Sequence, residues 1–213
     1  MKEGQIKMSE ILTNGKVLAI AAHPDDLEIG CFGALTKFKS LGNEIFLLIL
    51  SKGEKKDYGE IRCEESKQSA SVLGATLYLE ELKDSSIAYD ERTISLIEGY
   101  IEKIKPDIIF APFSEDSHQD HRNSFLSILS ASRKKHNLLC YESVTSMNFD
   151  PNIFFDITEH MQTKIKCLSC HKSQLKAAYL VEEAIKGSAL SYGFKLGRPG
   201  KYFEGAKLIR LIY

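Results

Sequence analysis

The stretch Ala22-His23-Pro24-Asp25-Asp26 holds the residue types in this chain that are best suited to chemistry. It follows a short apolar run of buried-strand length, residues 17–22, so its imidazole and carboxylates lie where a strand gives way to a helix. A second polar cluster, His118-Gln119-Asp120-His121, follows the apolar run at residues 108–111. Because open α/β sheets bind ligands at the carboxyl ends of their strands, we expect the two clusters to share one sheet edge. Two imidazoles and a carboxylate could then bind one metal ion.

The residue types also predict which side chains bind that ion. A catalytic zinc site uses three protein ligands from His and carboxylates, and it leaves one position open for water. His23, Asp26 and His121 supply such a set. Asp25 cannot easily be a ligand beside Asp26, but it can take a proton from the attacking water. His118, three residues before His121, is then free to face the substrate oxygen.

Each of these residues has a simpler interpretation when it is taken alone. The two aspartates could cap a helix, and the two histidines could lie on a surface loop. A His-Pro-Asp-Asp run arises by chance in roughly one chain in a thousand of this length, and a second His-x-Asp-His cluster after another strand makes coincidence rarer. The combination favours a metal site. Zinc is the preferred ion, although the same donors also bind Fe²⁺ or Co²⁺.

Composition restricts the partners that we expect. The chain has 213 residues, which suits one domain, and 43% of them are hydrophobic, which is enough for a core. The 28 basic and 29 acidic residues nearly balance, which argues against nucleic acid or a membrane surface as a partner. We find no signal peptide and no apolar run of membrane-spanning length. We therefore expect a cytoplasmic protein with a small-molecule partner, and self-association stays open.

Strand and helix patterns alternate over the first two thirds of the chain. We predict helices from Pro24 to Leu41, over residues 60–73 and 90–105, and after His121. Gly30 and Gly33 in the first helix predict that it approaches a strand closely. The alternation indicates a three-layer α/β/α, Rossmann-like, mostly parallel sheet over about residues 15–145. Its predicted strands are residues 17–22, 44–51, 75–79, 107–113 and 138–144.

The C-terminal part, about residues 146–213, has weaker patterns that indicate helices and a flap within the same domain. We predict a loop at 145–152, a helix over about 158–186, a glycine-rich flap at 187–205 that shapes the pocket mouth, and an edge strand within 203–212. Cys167, Cys170 and His171 spell a haem-attachment pattern, but two core-facing thiols on a helix fit better. The five scattered cysteines are expected to be reduced.

Several motifs resemble those of the LmbE-like, or PIG-L, family of zinc-dependent N-deacetylases. The resemblance spans most of the chain and is most specific in residues 22–31 and 118–122. Weaker matches are Ser51-Lys52-Gly53-Glu54, Arg62, Glu65, Tyr141-Glu142-Ser143, Asp156-Ile157-Thr158, Lys164, His171-Lys172-Ser173-Gln174 and Tyr202-Phe203-Glu204-Gly205.

This resemblance implies the same metal ligands, His23, Asp26 and His121, and it implies Asp25 as general base. For the remaining site residues, it implies that His118 stabilises the oxyanion or protonates the leaving amine, and that Asp120 orients His118. Arg62 would contact substrate hydroxyls. We expect the active form to have Asp25 deprotonated and His118 protonated.

The implied reaction is metal-dependent hydrolysis of the N-acetyl group of a GlcNAc-type sugar conjugate, which releases acetate and an amine. Lys52, Lys55 and Lys56 near Arg62 would tolerate an anionic group attached to the sugar. Two alternatives stay open at this point. One is hydrolysis of another amide, such as a thiol-conjugate amide, and the other is a metal-binding sensor or scaffold without turnover.

Overall fold

The computed structural model describes residues 13–53, 59–133, 136–174 and 182–212. Its strands are β1 Lys16–Ala21, β2 Glu44–Ile49, β3 Thr76–Leu79, β4 Ile108–Pro112, β5 Asn137–Tyr141, β6 Ile153–Asp156 and β7 Phe203–Arg210. Its helices are α1 Asp26–Gly30, α2 Phe32–Ser40, α3 Gly59–Leu73, α4 Glu91–Ile104, α5 Gln119–Ala131, α6 Met161–Leu168 and α7 Glu182–Lys195.

The strands form one sheet in the order β3-β2-β1-β4-β5-β7-β6. The first five strands of the chain are mutually parallel, whereas β7 runs antiparallel to both β5 and β6. This is the mostly parallel α/β sheet that the alternation of strands and helices predicts. Strand β1 pairs with β2 on one side and with β4 on the other, so the chain leaves β1 and β4 at a point where the strand order reverses.

Both faces of β1 are buried, which explains its continuous apolar sequence. Val17, Ala19 and Ala21 belong to one core, whereas Leu18 and Ile20 belong to the other. Helices α1, α2, α3 and α6 contribute side chains to the first core, and helices α4 and α5 contribute to the second. The alternation of successive side chains across a strand thus produces the predicted three layers.

The predicted first helix is in fact two helices, α1 and α2, which are separated at Cys31. The backbone of Cys31 has φ −145° and ψ 6°, which is not helical. Gly30, just before the break, confirms the predicted close approach to a strand. A Cβ atom at Gly30 would lie 2.3 Å from Cδ2 of Tyr141, at the end of β5. A larger residue would push α1, and the site at its start, away from the sheet.

The C-terminal part differs from its prediction in several places. Strand β6 was not predicted, and β7 lies between β5 and β6 rather than at the sheet edge. Helix α7 occupies much of the predicted flap, and α6 ends at Leu168, well inside the predicted helix over 158–186. Residues 175–181 of that predicted helix, and Lys55 and Lys56, lie outside the described residues. Strand β6 has only four residues, which is too short for a clear periodic pattern in the sequence.

None of the helices in the described ranges has the length and apolar character needed to cross a membrane.

Candidate metal centre and active site

The connection after β1 folds back on itself and presents two carboxylates. Asp25 has φ 86° and ψ −22°, a left-handed conformation that is strained for most residues and better tolerated by Asp. Asp26 is the first residue of α1, and its Oδ2 accepts a hydrogen bond of 2.8 Å from the backbone N–H of His23. This turn brings the carboxylate of Asp26 close to the backbone and the ring of His23.

Three candidate donor groups converge around Asp26. Its Oδ2 lies 3.6 Å from Nδ1 of His23, and its Oδ1 lies 3.3 Å from Nε2 of His121. Two atoms bound about 2.0–2.1 Å from one tetrahedral zinc ion are about 3.3 Å apart. All three side chains are at least nine-tenths buried. The donor types, and the separation of each histidine from Asp26, therefore suit a small divalent metal ion.

The outward ring nitrogens of the two histidines are held by other carboxylates. Nε2 of His23 lies 3.0 Å from Oδ2 of Asp120 and 3.4 Å from Oδ1 of Asp84. Nδ1 of His121 lies 3.0 Å from Oδ2 of Asp116. Such carboxylate partners orient metal-binding histidines and leave the other ring nitrogen to face the ion. The sequence analysis did not predict these contacts of Asp84 and Asp116. The position of Asp116 in the loop before His118 is the one local signal that could have indicated its role.

Asp120 has a different partner from the one that we expected. Its carboxylate contacts His23 and accepts a hydrogen bond from the backbone N–H of Ile87, whereas only its backbone N–H contacts His118. The reason is its place in the first turn of α5. There the side chain points back towards β1 while the backbone N–H points towards the N-cap residue, His118.

His118 is held in one tautomer by these contacts. Its Nδ1 accepts the 3.2 Å hydrogen bond from the N–H of Asp120, so a neutral ring carries its proton on Nε2. Burial lowers the pKa of His118, and the nearby His23 and His121 lower it further. In the metal-free protein these effects favour the neutral ring, in which Nε2–H is a donor. His118 also lies close enough to His23 and His121 to form an alternative three-histidine ligand set.

Asp25 lies beside the convergence point and contacts Arg62. Burial raises the pKa of the Asp25 carboxyl to about 7, although the guanidinium of Arg62 opposes this shift. Arg62 Nη2 lies 3.4 Å from Oδ1 of Asp25 and donates a 2.7 Å hydrogen bond to the carbonyl of Pro24. Nη1 donates to the carbonyl of Gly53 at 3.3 Å, and a Cβ atom at Gly53 would collide with it at 2.1 Å. Arg62 thus supports the Asp25 turn as well as lining the pocket.

These groups open into a cavity of about 390 Å³. The polar part of its lining includes Asp25, Asp26, Arg62 and the three histidines. The apolar part includes Ile29 and Val144. A cavity with an apolar wall and a few convergent polar groups is typical of a small-molecule site. The structure therefore brings Arg62 and all the predicted site residues except Asp120 to one pocket, with Asp120 directly behind His23.

The chain is similar to a known family and to individual deacetylases. Residues 18–132 match the family described as GlcNAc-PI de-N-acetylase (PIG-L). A diacetylchitobiose deacetylase of Thermococcus kodakarensis is 29% identical, over 93% of this chain and 84% of its own length. The uncharacterised deacetylase YaiS of Escherichia coli K12 is 30% identical, over 74% of this chain and 90% of its own length.

Among solved structures, N,N′-diacetylchitobiose deacetylase from Pyrococcus horikoshii has a TM-score of 0.80 with this chain at 25% identity. The similarity covers 92% of this chain and 84% of that one. The family match at residues 18–132 runs from β1 through α5 and contains all three candidate ligands, so the chain belongs to the GlcNAc-PI de-N-acetylase (PIG-L) family.

Proposed function

We propose that this protein is a metal-dependent deacetylase that hydrolyses the acetamide of an N-acetylglucosamine-type sugar conjugate. The convergence of His23 Nδ1, Asp26 and His121 Nε2 beside the carboxyl of Asp25 carries this proposal. Membership of the family and the similarity to two diacetylchitobiose deacetylases support it. Zinc is the preferred metal because the donor set and its spacing suit a tetrahedral site with one open position.

His23, Asp26 and His121 would hold the ion. When bound, a divalent ion supplies Lewis acidity, which makes water easier to deprotonate and the acetyl carbonyl easier to attack. Asp116 and Asp120 keep the two imidazoles in the tautomers that direct Nε2 of His121 and Nδ1 of His23 towards the centre.

Asp25 acts as the general base in this proposal. Its carboxylate takes a proton from the water as the oxygen attacks the acetyl carbon. In the metal-free protein burial raises the pKa of this carboxyl to about 7. Arg62 holds the Asp25 turn through the carbonyl of Pro24. The neutral His118 donates its Nε2–H to the oxygen that becomes negative as the tetrahedral intermediate forms.

Collapse of that intermediate breaks the carbon–nitrogen bond. The departing nitrogen receives the proton that Asp25 took from water, so Asp25 returns to its starting state. The products are a free amine and acetic acid, which releases its proton to solvent and leaves as acetate. The cavity of about 390 Å³ is of a size that holds one small-molecule group and would receive the N-acetyl sugar itself.

A substrate panel tests the proposal. Zinc-loaded protein is incubated with GlcNAc, N,N′-diacetylchitobiose, GlcNAc linked to inositol or to small acids, and UDP-GlcNAc, and acetate and free amine are measured. The Asp25→Asn protein serves as the blank. We expect acetate release from at least one sugar. If every sugar is inert while a thiol-conjugate amide is cleaved, the sugar assignment is wrong; metal binding without any turnover would instead favour a sensor or scaffold.

A further inference from the structure

We propose that His171 is a positioning residue of the candidate active site: through Glu28 it holds the turn that carries Asp25 and Asp26. This inference deepens the deacetylase function proposed above and rests on it. His171 lies in the chain after α6, whereas Glu28 belongs to α1. Neither side chain belongs to the cavity lining that the structure describes, so an effect on the reaction must pass through other residues.

His171 and Glu28 form a buried pair of opposite charge. Nε2 of His171 lies 3.0 Å from Oε1 of Glu28, and the exposed fractions of the two side chains are 0% and 3%. Burial lowers the pKa of His171, but the attraction of Glu28 outweighs burial and raises it. Burial raises the pKa of Glu28, and the attraction of His171 lowers it by more. The two side chains therefore favour their charged forms, and each buried charge requires its partner.

Few other contacts of the pair could replace this one. Among the described residues, Oε2 of Glu28 and Nδ1 of His171 have no hydrogen-bond partner. Oε1 of Glu28 also accepts a 2.5 Å hydrogen bond from the hydroxyl of Ser69 in α3. The side chain of Glu28 is therefore fixed from two directions, by α3 and by the chain after α6.

The ring of His171 belongs to a short segment that is itself anchored. The backbone N–H and the hydroxyl of Ser173 donate to the two carboxylate oxygens of Glu65, at 2.7 and 2.6 Å. The backbone N–H of Gln174 donates to the carbonyl of His171 at 3.0 Å. Glu65 and Ser69 are one turn apart on α3, so one face of this helix fixes both partners of the pair.

Glu28 lies in the same hydrogen-bonded turn as the two carboxylates of the candidate site. The backbone N–H of Ile29 donates to the carbonyl of Asp25 at 3.1 Å, which closes the turn around Asp26 and Glu28. Helix α1 has five residues, too few to hold an orientation by its own hydrogen bonds. The left-handed backbone of Asp25 adds strain, which persists only where surrounding contacts hold it. Glu28 supplies such a contact, so His171 helps to fix where Asp25 and Asp26 point.

Replacing both members of the pair separates positioning from stability. Apolar side chains of similar volume often replace a buried ion pair without loss of stability, but their contacts have no fixed direction. We therefore expect the double variant Glu28→Met/His171→Leu to remain folded, with its zinc dissociation constant raised at least tenfold and kcat lowered at least tenfold. A competing fluorescent chelator measures zinc binding, at a temperature where urea denaturation shows each protein to be folded. Zinc affinity and kcat both within twofold of the wild type would overturn the proposal.

Two milder substitutions keep the test decisive if the double variant does not fold. His171→Asn leaves a shorter side chain that lacks the atom facing Glu28, and His160→Asn, at the N-cap of α6, is its control. Ser69→Ala removes the second contact of Glu28, and Ser66→Ala is its control, because that hydroxyl donates to a carbonyl of its own helix. We expect His171→Asn and Ser69→Ala to raise the zinc dissociation constant at least fivefold, and both controls to change it less than twofold. No difference between the two variants and their controls would refute the proposal.

The same measurements distinguish failure of this inference from failure of the deacetylase function. A wild type that binds zinc but releases no acetate from any sugar would refute the deacetylase function, and the zinc affinities of the variants would still test the role of His171. Unchanged zinc affinity and kcat in the variants of an active enzyme would refute only the role of His171.

Discussion

Asp26 faces both candidate histidine ligands, one with each carboxylate oxygen. Its own pKa reflects this position: burial raises it, but the attraction of His121 and His23 outweighs burial and holds the pKa well below its usual range. His118 faces the same space but uses its Nδ1 to cap α5. This contact leaves Nε2 of His118 available, so both Asp26 and His118 could supply the third ligand.

Metal content distinguishes these two ligand sets. Asp26→Ala should bind less than a tenth of the zinc of the wild type, because it removes the group between the two histidines. His118→Ala should keep its zinc but lose turnover, with kcat reduced far more than KM is raised, as expected for a contact made in the transition state. Elemental analysis of the purified variants checks this. Retention of zinc by Asp26→Ala together with its loss in His118→Ala would show that the three-histidine set is the real one.

Asp25→Asn should keep the fold and the metal but lose activity. Asn tolerates the left-handed conformation at this position, and it cannot accept the proton from water. General base catalysis contributes roughly 100- to 10,000-fold, so kcat should fall by that amount. Steady-state kinetics and metal analysis on the same preparation check both parts. Activity within tenfold of the wild type would exclude Asp25 as the base.

Metal affinity should rise with pH. Burial lowers the pKa of His23, but its contacts with Asp120 and Asp26 outweigh burial and raise it to about 11. His121 likewise has a pKa of about 10, because Asp26 and Asp116 overcome the effect of burial. Both rings are thus protonated in the metal-free protein at neutral pH, and an ion must displace about two protons. Calorimetry in buffers of different ionisation enthalpy measures this release, and a pH-independent affinity would contradict it.

At the scale of elements, the break between α1 and α2 is supported from the far end of the chain. The break leaves the backbone N–H groups of Gly33 and Ala34 without partners inside the helix, and Glu204 of β7 accepts both, at 2.9 and 2.6 Å. Lys164 of α6 joins Glu204 to the carbonyl of Ile29 at the end of α1. This buried network holds α1 in the orientation that presents Asp26.

Removing one member of that network should destabilise the protein strongly. Lys164→Met leaves Glu204 buried without its cation, which typically costs about 3–5 kcal/mol. Lys166→Met, at an exposed position of the same helix, should change the free energy of unfolding by less than about 0.5 kcal/mol. Urea denaturation of both variants in the metal-free state measures the difference. A loss for Lys164→Met no greater than that of the control would show that the network does not support the helix break.

At the scale of the whole molecule, the candidate ligands come from two connections that are distant in sequence. His23 and Asp26 follow β1, and His121 lies in the first turn of α5, which follows β4. A bound ion would therefore link the two halves of the parallel sheet at the point where the strand order reverses. Because such a site exists only in the folded state, metal binding and folding stability are coupled.

Zinc should consequently raise the melting temperature. Free zinc at 100 times its dissociation constant stabilises the folded state by about 2.7 kcal/mol, which corresponds to roughly 5–10 °C for a chain of this size. Differential scanning calorimetry with and without zinc checks this, with Asp26→Ala as the control that should not respond. An equal shift in Asp26→Ala would place the stabilising ion elsewhere.

Features that depend on neighbouring residues were predictable from the sequence. Apolar runs of strand length, followed directly by His-Pro-Asp-Asp or by His-x-Asp-His, sufficed to predict a parallel sheet with polar clusters at the ends of β1 and β4. The motifs also sufficed to recognise the family. These predictions succeed because strand periodicity and the strand-to-helix junction involve residues close together in the chain.

Features that depend on distant contacts were decided only by the tertiary structure. Asp120 contacts a histidine 97 positions away, and Glu204 supports a helix break 170 positions away. The placement of β7 inside the sheet arises in the same way. No local pattern encodes such pairings, because burial and the demand of each buried polar group for a partner select them only once the chain has folded.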